Sequence, residues 1–168
     1  MPATYEPIAT TTLSSAASQI EFSSIPATYT DLVLICTATI TTGGSYAILR
    51  LNPATSSTYS GTRLIGSGTS AISSRETGQN ALELRSDDGV GISTSTPTLM
   101  QINVFSYAGS TNKTVLAAMS NDLNGSGGVS RIVGLCQNLS AITVVRLLVP
   151  GDTFKSGTTA TLYGILKA

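Results

Sequence analysis

Apolar residues in this chain recur at every second position, and that period limits what it can fold into. In the run 31–41, Leu32, Leu34, Cys36, Ala38 and Ile40 fall on one side and Val33, Ile35, Thr37 and Thr39 on the other. A period of two belongs to an extended strand, whose successive side chains point to opposite faces; a helix would show 3.6. The second half of the run reads as a half-buried strand with Thr outward. Its first half is apolar on both faces, so something must cover both sides there. The same spacing marks residues 18–23, 45–52, 62–67, 81–86, 98–108, 113–121, 129–137, 141–149 and 159–167, about ten strands altogether.

The segments between these runs carry turn chemistry. Asn121-Asp-Leu-Asn-Gly-Ser-Gly-Gly128 reads as a turn, and Gly43-Gly44 is expected to make a hairpin turn into the strand at 45–52. Residues 53–80 and 87–97 read as long connections or an inserted flap. Helix signals are confined to one turn at 14–20 and a weak stretch at 75–84 that Gly78 interrupts. Many short strands at regular spacing predict an all-β fold: a jelly-roll-like antiparallel β-sandwich of about 8–10 strands, built from two four-stranded sheets. Residues 1–17, mostly Ala, Thr and Ser with Pro2 and Pro7, are set apart as an N-terminal arm, and 18–168 as a single sandwich domain. The expected core is Phe22, Leu32, Leu34, Cys36, Ile102, Val104, Ile132, Ile142, Val144 and Leu162.

Composition narrows the function. Of 168 residues, 25 are Thr and 23 are Ser, while charged residues make up 11%, under half of the roughly 25% usual in soluble domains. Such a hydroxyl content would suit a disordered chain, but 41% of residues are hydrophobic, enough to build a core. Nine basic residues balance nine acidic ones, which removes the basic footprint of a nucleic-acid partner. The start of the sequence lacks the features of a signal peptide, and no apolar run approaches the ~20 residues of a membrane helix. The chain is therefore expected to be made in a cytoplasm with no membrane partner. Cys36 and Cys136, each within an apolar run, are expected as reduced, buried thiols.

The search for chemistry returns little. There is no His, so His triads, His metal sites and His switches are excluded. Glu83 and Arg85 alternate onto one strand face and read as a solvated ion pair. Asp87-Asp88-Gly89 and Asn121-Asp122-Leu-Asn124-Gly125 lack the spaced acidic ligands of a calcium loop and read as turns. Gly109-Ser-Thr-Asn-Lys113-Thr114 ends like a phosphate loop but lacks Gly before Lys and leads into a strand, so it reads as a hairpin. The best pair for stacking a sugar is Tyr59 with Arg63. No catalytic residue, metal ligand or cofactor is assigned.

Two segments carry a family likeness. Ile8-Ala-Thr-Thr-Thr-Leu13 with Ile20-Glu-Phe-Ser-Ser-Ile-Pro26, Tyr29 and Asp31-Leu-Val-Leu34 resembles the opening of small structural proteins of tailed bacteriophages. Asp152-Thr-Phe154, Gly157-Thr-Thr and Thr161-Leu-Tyr-Gly-Ile165 look like their closing strand. Tyr59, Thr62-Arg63-Leu64 and Lys113-Thr114 also stand where such proteins have similar residues. The resemblance implies a virion protein, made in the host bacterial cytoplasm, that decorates and cements the capsid. Its partners would be other copies of itself, as a homotrimer, and the major capsid protein. A fibre, spike or tail-associated module is the alternative, and a carbohydrate-binding receptor module is another by analogy of fold. The residues expected to touch partners are Tyr5, Ile8, Val33, Ile35 and Val145: main anchors of the arm, the second face of the 31–41 strand, and the apolar excess near residue 145.

Overall fold

The computed structural model describes residues 4–43, 45–53, 56–84 and 91–166. Among these the chain forms twelve strands and no helix: β1 (Tyr5–Thr12), β2 (Gln19–Phe22), β3 (Asp31–Ala38), β4 (Ala47–Leu51), β5 (Tyr59–Gly66), β6 (Ala71–Gln79), β7 (Leu82–Leu84), β8 (Thr98–Phe105), β9 (Lys113–Asp122), β10 (Gly127–Cys136), β11 (Val145–Leu148) and β12 (Thr159–Ile165). They make two antiparallel sheets packed as a sandwich. One has eight strands in the order β1-β12-β3-β8-β9-β10-β5-β6, the other four in the order β2-β11-β4-β7. The all-β sandwich expected from the alternation is present. The count is twelve rather than eight to ten, and the division is eight and four rather than four and four.

The additional strands are the two edges of the large sheet. β1, the greater part of the presumed arm, pairs along its length with β12, with an irregularity between Pro7 and Ala9. β6 lies in the stretch read as a connection or flap and pairs with β5. Gly43 does not open a hairpin, because β3 belongs to the large sheet and β4 to the small one; the chain crosses between layers there. Gly44 lies outside the described residues, as do Arg85, Asp87, Asp88 and Gly89.

The core lies between the sheets. Nine of the ten expected core residues are buried: Phe22, Leu32, Leu34, Cys36, Ile102, Val104, Ile132, Ile142 and Leu162. Val144 is half-buried instead. The alternation slips there because residues 141–144 precede the strand and are held by Asn52, whose Oδ1 accepts hydrogen bonds from the Thr143 and Val144 amides and whose Nδ2 donates to the Ala141 carbonyl. Once β11 begins, Val145 and Leu147 face inward.

Glycine lets the small sheet reach across the large one. β7 is an edge of the small sheet, and its Leu82 fills the space over Gly134 of β10 and Gly61 of β5. A Cβ at Gly134 would lie 2.5 Å from Leu82 Cδ2, and one at Gly61 would lie 3.0 Å from Cδ1. Tyr59 adds a polar tie between the layers: its hydroxyl accepts a hydrogen bond from the Leu51 amide at 2.7 Å and lies 3.3 Å from the Leu51 carbonyl.

Candidate interaction surface

Several polar side chains inside the sandwich are engaged in holding it together. Arg63 points inward from β5 and is 2% exposed. It lies 2.5 Å from Glu76 of β6 and 3.8 Å from Glu83 of β7. Glu83 thus faces a buried guanidinium rather than sitting on a solvated face. Tyr59 and Arg63, the candidate pair for a sugar, both face the interior and offer no surface to a ligand. The register explains why: both are odd-numbered on β5, and that side packs inward.

Lys113 is fully buried, and its ammonium donates to the carbonyls of Gly109, at 2.6 Å, and Thr111. It closes the β8–β9 hairpin expected from the sequence, and burial lowers its pKa. Burial alone would raise the Asp152 carboxyl, but hydrogen bonds from Thr42, Thr153 and Gly43 outweigh it and hold the group below its ordinary range. Its contacts tie one connection to another. Cys36 and Cys136 are free, buried thiols. Burial pushes Cys36 up to about 12, the opposite of what an activated nucleophile needs. Among the described residues no three acidic or cysteine side chains gather as a metal site.

The outward side of the eight-stranded sheet is different. No segment of the described chain forms a layer over it, because residues 59–79, which a folded-over loop would have used, extend the sheet sideways as β5 and β6. The register places the outward residues in rows across the strands. One row runs Thr10, Thr161, Ile35, Gln101, Ala118, Arg131, Leu64, Ser73. The next runs Pro7, Tyr163, Val33, Asn103, Leu116, Val133, Thr62, Arg75.

Aliphatic exposure peaks on β5 and β10, where Leu64 is 59%, Val129 60% and Val133 49% exposed. Leu64 stands opposite Arg131, so Val129 and Val133 are its diagonal neighbours. Beside this ridge lies a groove of about 430 Å³, lined by Leu64, Gly66, Ala71, Ala118, Val129 and Arg131 among others. Gly66 makes the groove, since no side chain rises there between Val129 and Ala71, its partners on either side.

The five residues expected to meet partners divide. Ile35 is on this outward face and exposed; Tyr5 is exposed at its β1 edge, its ring set edge-on to Tyr163 with centroids 6.3 Å apart. Val33 is on the same face but only 3% exposed, between Tyr163 and Asn103 in the register. Ile8 packs partly against the core, and Val145 is inside it. Leu64, Val129 and Val133, the most exposed part of the face, were not singled out from the sequence. The signal was present in 129–136, where both alternating sets contain aliphatic residues, as in 31–36.

No family model, no curated protein and no solved structure matches this chain.

Proposed function

We propose that this chain is a structural protein of a bacteriophage virion, and within that class a capsid decoration or cement protein that strengthens the shell by protein–protein contact. The uncovered outward face of the eight-stranded sheet, with its exposed patch of Leu64, Val129 and Val133, carries this reading. An exposed apolar patch rimmed by polar residues marks a place where another surface docks, and Leu64, Val129 and Val133 form such a patch among Thr62, Ser73 and Arg131. The resemblance of the two ends of the chain to phage structural proteins supplies the virion context. An all-β sandwich whose buried Tyr59, Arg63 and Lys113 are engaged with its own chain suits a part that acts by attachment.

The test is deletion of the gene from the phage that carries it, followed by cryo-electron microscopy of the virions and measurement of their heat resistance. The expected result is loss of a discrete protrusion from the shell and disruption at lower temperature. Loss of tail or fibre density with an unchanged shell would assign the chain to a fibre module. Virions identical in composition to the parent would end the virion reading.

A further inference from the structure

We infer that Asn124 is a site of spontaneous modification, at which the peptide nitrogen of Gly125 attacks the Asn124 side chain and converts it, without an enzyme, into a mixture of aspartate and isoaspartate. Of the seven asparagines in the chain, Asn124 alone precedes glycine. The others are followed by Pro53, Ala81, Val104, Lys113, Asp122 and Leu139. Proline has no N–H to give up, and a side chain on the following residue crowds the approach that glycine leaves open.

The fold leaves this asparagine free. Asn124 and Gly125 stand at the exposed tip of the β9–β10 hairpin, with φ of 56° and 110°. The turn is held below them: the Leu123 amide donates to the Ser126 carbonyl at 2.9 Å, and the Asn124 amide donates to Asp122 Oδ1 at 2.8 Å. Among the described residues the Gly125 N–H and the Asn124 side chain have no hydrogen-bond partner. Nothing lies within 4 Å of where a Cβ at Gly125 would stand, so the tip has room to rearrange. Elsewhere the amides are tied. Asn52, Asn103 and Asn121 donate through Nδ2 to the carbonyls of Ala141, Leu116 and Gly91, and Asn138 Oδ1 accepts from the Ser140 amide.

The conversion needs only the chain and water. The Gly125 nitrogen gives up its proton and bonds to the side-chain carbonyl carbon of Asn124. The bond from that carbon to the side-chain nitrogen breaks, and ammonia leaves with the proton. Water then opens the resulting cyclic imide. Opening at one carbonyl gives aspartate on an unchanged main chain. Opening at the other gives isoaspartate, whose main chain is longer by one carbon. Either product adds a negative charge to a chain whose nine basic and nine acidic residues balance. The charge arises beside a cavity lined by Asp122, Gly125 and Val129 among others. The isoaspartate also enters a tight hairpin, where a Cβ at Gly127 would lie 2.5 Å from the Asn121 carbonyl oxygen.

Incubation of the purified full chain at neutral and mildly alkaline pH, folded in buffer and unfolded in guanidinium chloride, tests this. Isoelectric focusing after desalting should show an acidic form displaced by one charge. It should accumulate in the folded chain at a rate comparable to the unfolded one, and faster at the higher pH, where the Gly125 proton leaves more readily. Peptide mapping by mass spectrometry should place the first conversion at Asn124 and find both products, with isoaspartate identified by methyl transfer from an isoaspartyl methyltransferase. Asn124→Gly suits the positive φ and should abolish the acidic form with circular dichroism unchanged. A folded chain that stays unconverted while the unfolded chain converts, a first conversion at another asparagine, or an acidic form that persists in Asn124→Gly would each overturn the inference. The conversion proceeds whether or not the chain serves a capsid, so its failure leaves the virion test standing.

Discussion

The ring of Tyr29 lies directly over Gly164, occupying the place where a Cβ at that position would stand. The ring is held from several directions: its hydroxyl donates to Glu6 of β1 at 3.3 Å, and its own amide donates to the Tyr107 hydroxyl at 3.2 Å, which in turn donates to the Pro26 carbonyl. A glycine on β12 thus admits an aromatic lid over the end of the core, as Gly134 on β10 admits Leu82.

Gly134→Ala tests that second relationship. The added methyl collides with a Leu82 side chain that is itself fully buried, and overpacking of this kind costs about 1–3 kcal/mol. Urea denaturation should show the loss. Pairing it with Leu82→Ala, which opens the space, should give less than the sum of the two single losses; strict additivity would show that Leu82 and Gly134 do not share the site.

Tyr59→Phe removes one hydroxyl and leaves the ring. Its contact with the Leu51 amide joins β5 of the large sheet to β4 of the small one. Leaving a buried donor without its acceptor costs about 1–3 kcal/mol. A change under about half a kilocalorie would mean that water replaces the hydroxyl.

Arg63→Met keeps the stem and removes the charge. Glu76, 2.5 Å from the guanidinium, is then left in a largely buried place without it, and breaking a buried pair in this way costs about 3–5 kcal/mol. The loss should shrink markedly in the double variant Arg63→Met, Glu76→Gln. An equal loss in both would locate the effect in packing instead of charge.

Stability should fall on the alkaline side. Burial raises Cys36 from its ordinary value of 9.0 to about 12, so between those limits the unfolded chain has released a proton that the folded chain keeps. Stability then declines as pH rises, by up to about 1.4 kcal/mol per pH unit for this one thiol. Burial raises Cys136, Tyr59 and Tyr107 in the same direction, while Lys113, lowered by burial, works against them. Cys36→Ala should be less stable at neutral pH yet decline less steeply above about pH 9. Parallel slopes for variant and parent would refute the assignment to this thiol.

Alternation disclosed the interior strands and failed at the margins for a physical reason. β3, β8, β9 and β10 each put a mostly apolar set against the small sheet, so their period stands out. β1 and β6 are edges. On β6 the inward positions include Ser74 and Glu76, with Glu76 answering buried Arg63, and no apolar alternation results. The arm at 1–17 concealed a strand for the same reason: the outward Thr10 and Thr12 meet Thr161 and Thr159 across the ladder, hydroxyl to hydroxyl at 3.0 Å. The docking face was legible only where a strand was apolar on both sides. On 31–36 that excess pointed to Ile35; on 129–136 the same excess at Val129 and Val133 went unused, because spacing alone does not say which side of a strand looks inward.

The strand order also governs how the chain can acquire its shape. β3, central to the hydrophobic interior, has β12 on one side and β8 on the other, while β2 and β4 both pair with β11. Only the β5–β6 and β8–β9–β10 meanders join neighbours in sequence. A nascent chain leaving the ribosome can form those hairpins early, yet β1 must wait for β12 and β2 for β11, each synthesised more than a hundred residues later, while β4 meets β7 and β3 meets β8 sooner. Such distant pairings put folding in the slow range, milliseconds to seconds. Until β12 arrives, one edge of β3 has no partner strand, and the interval is one in which encounters between incomplete chains compete with folding.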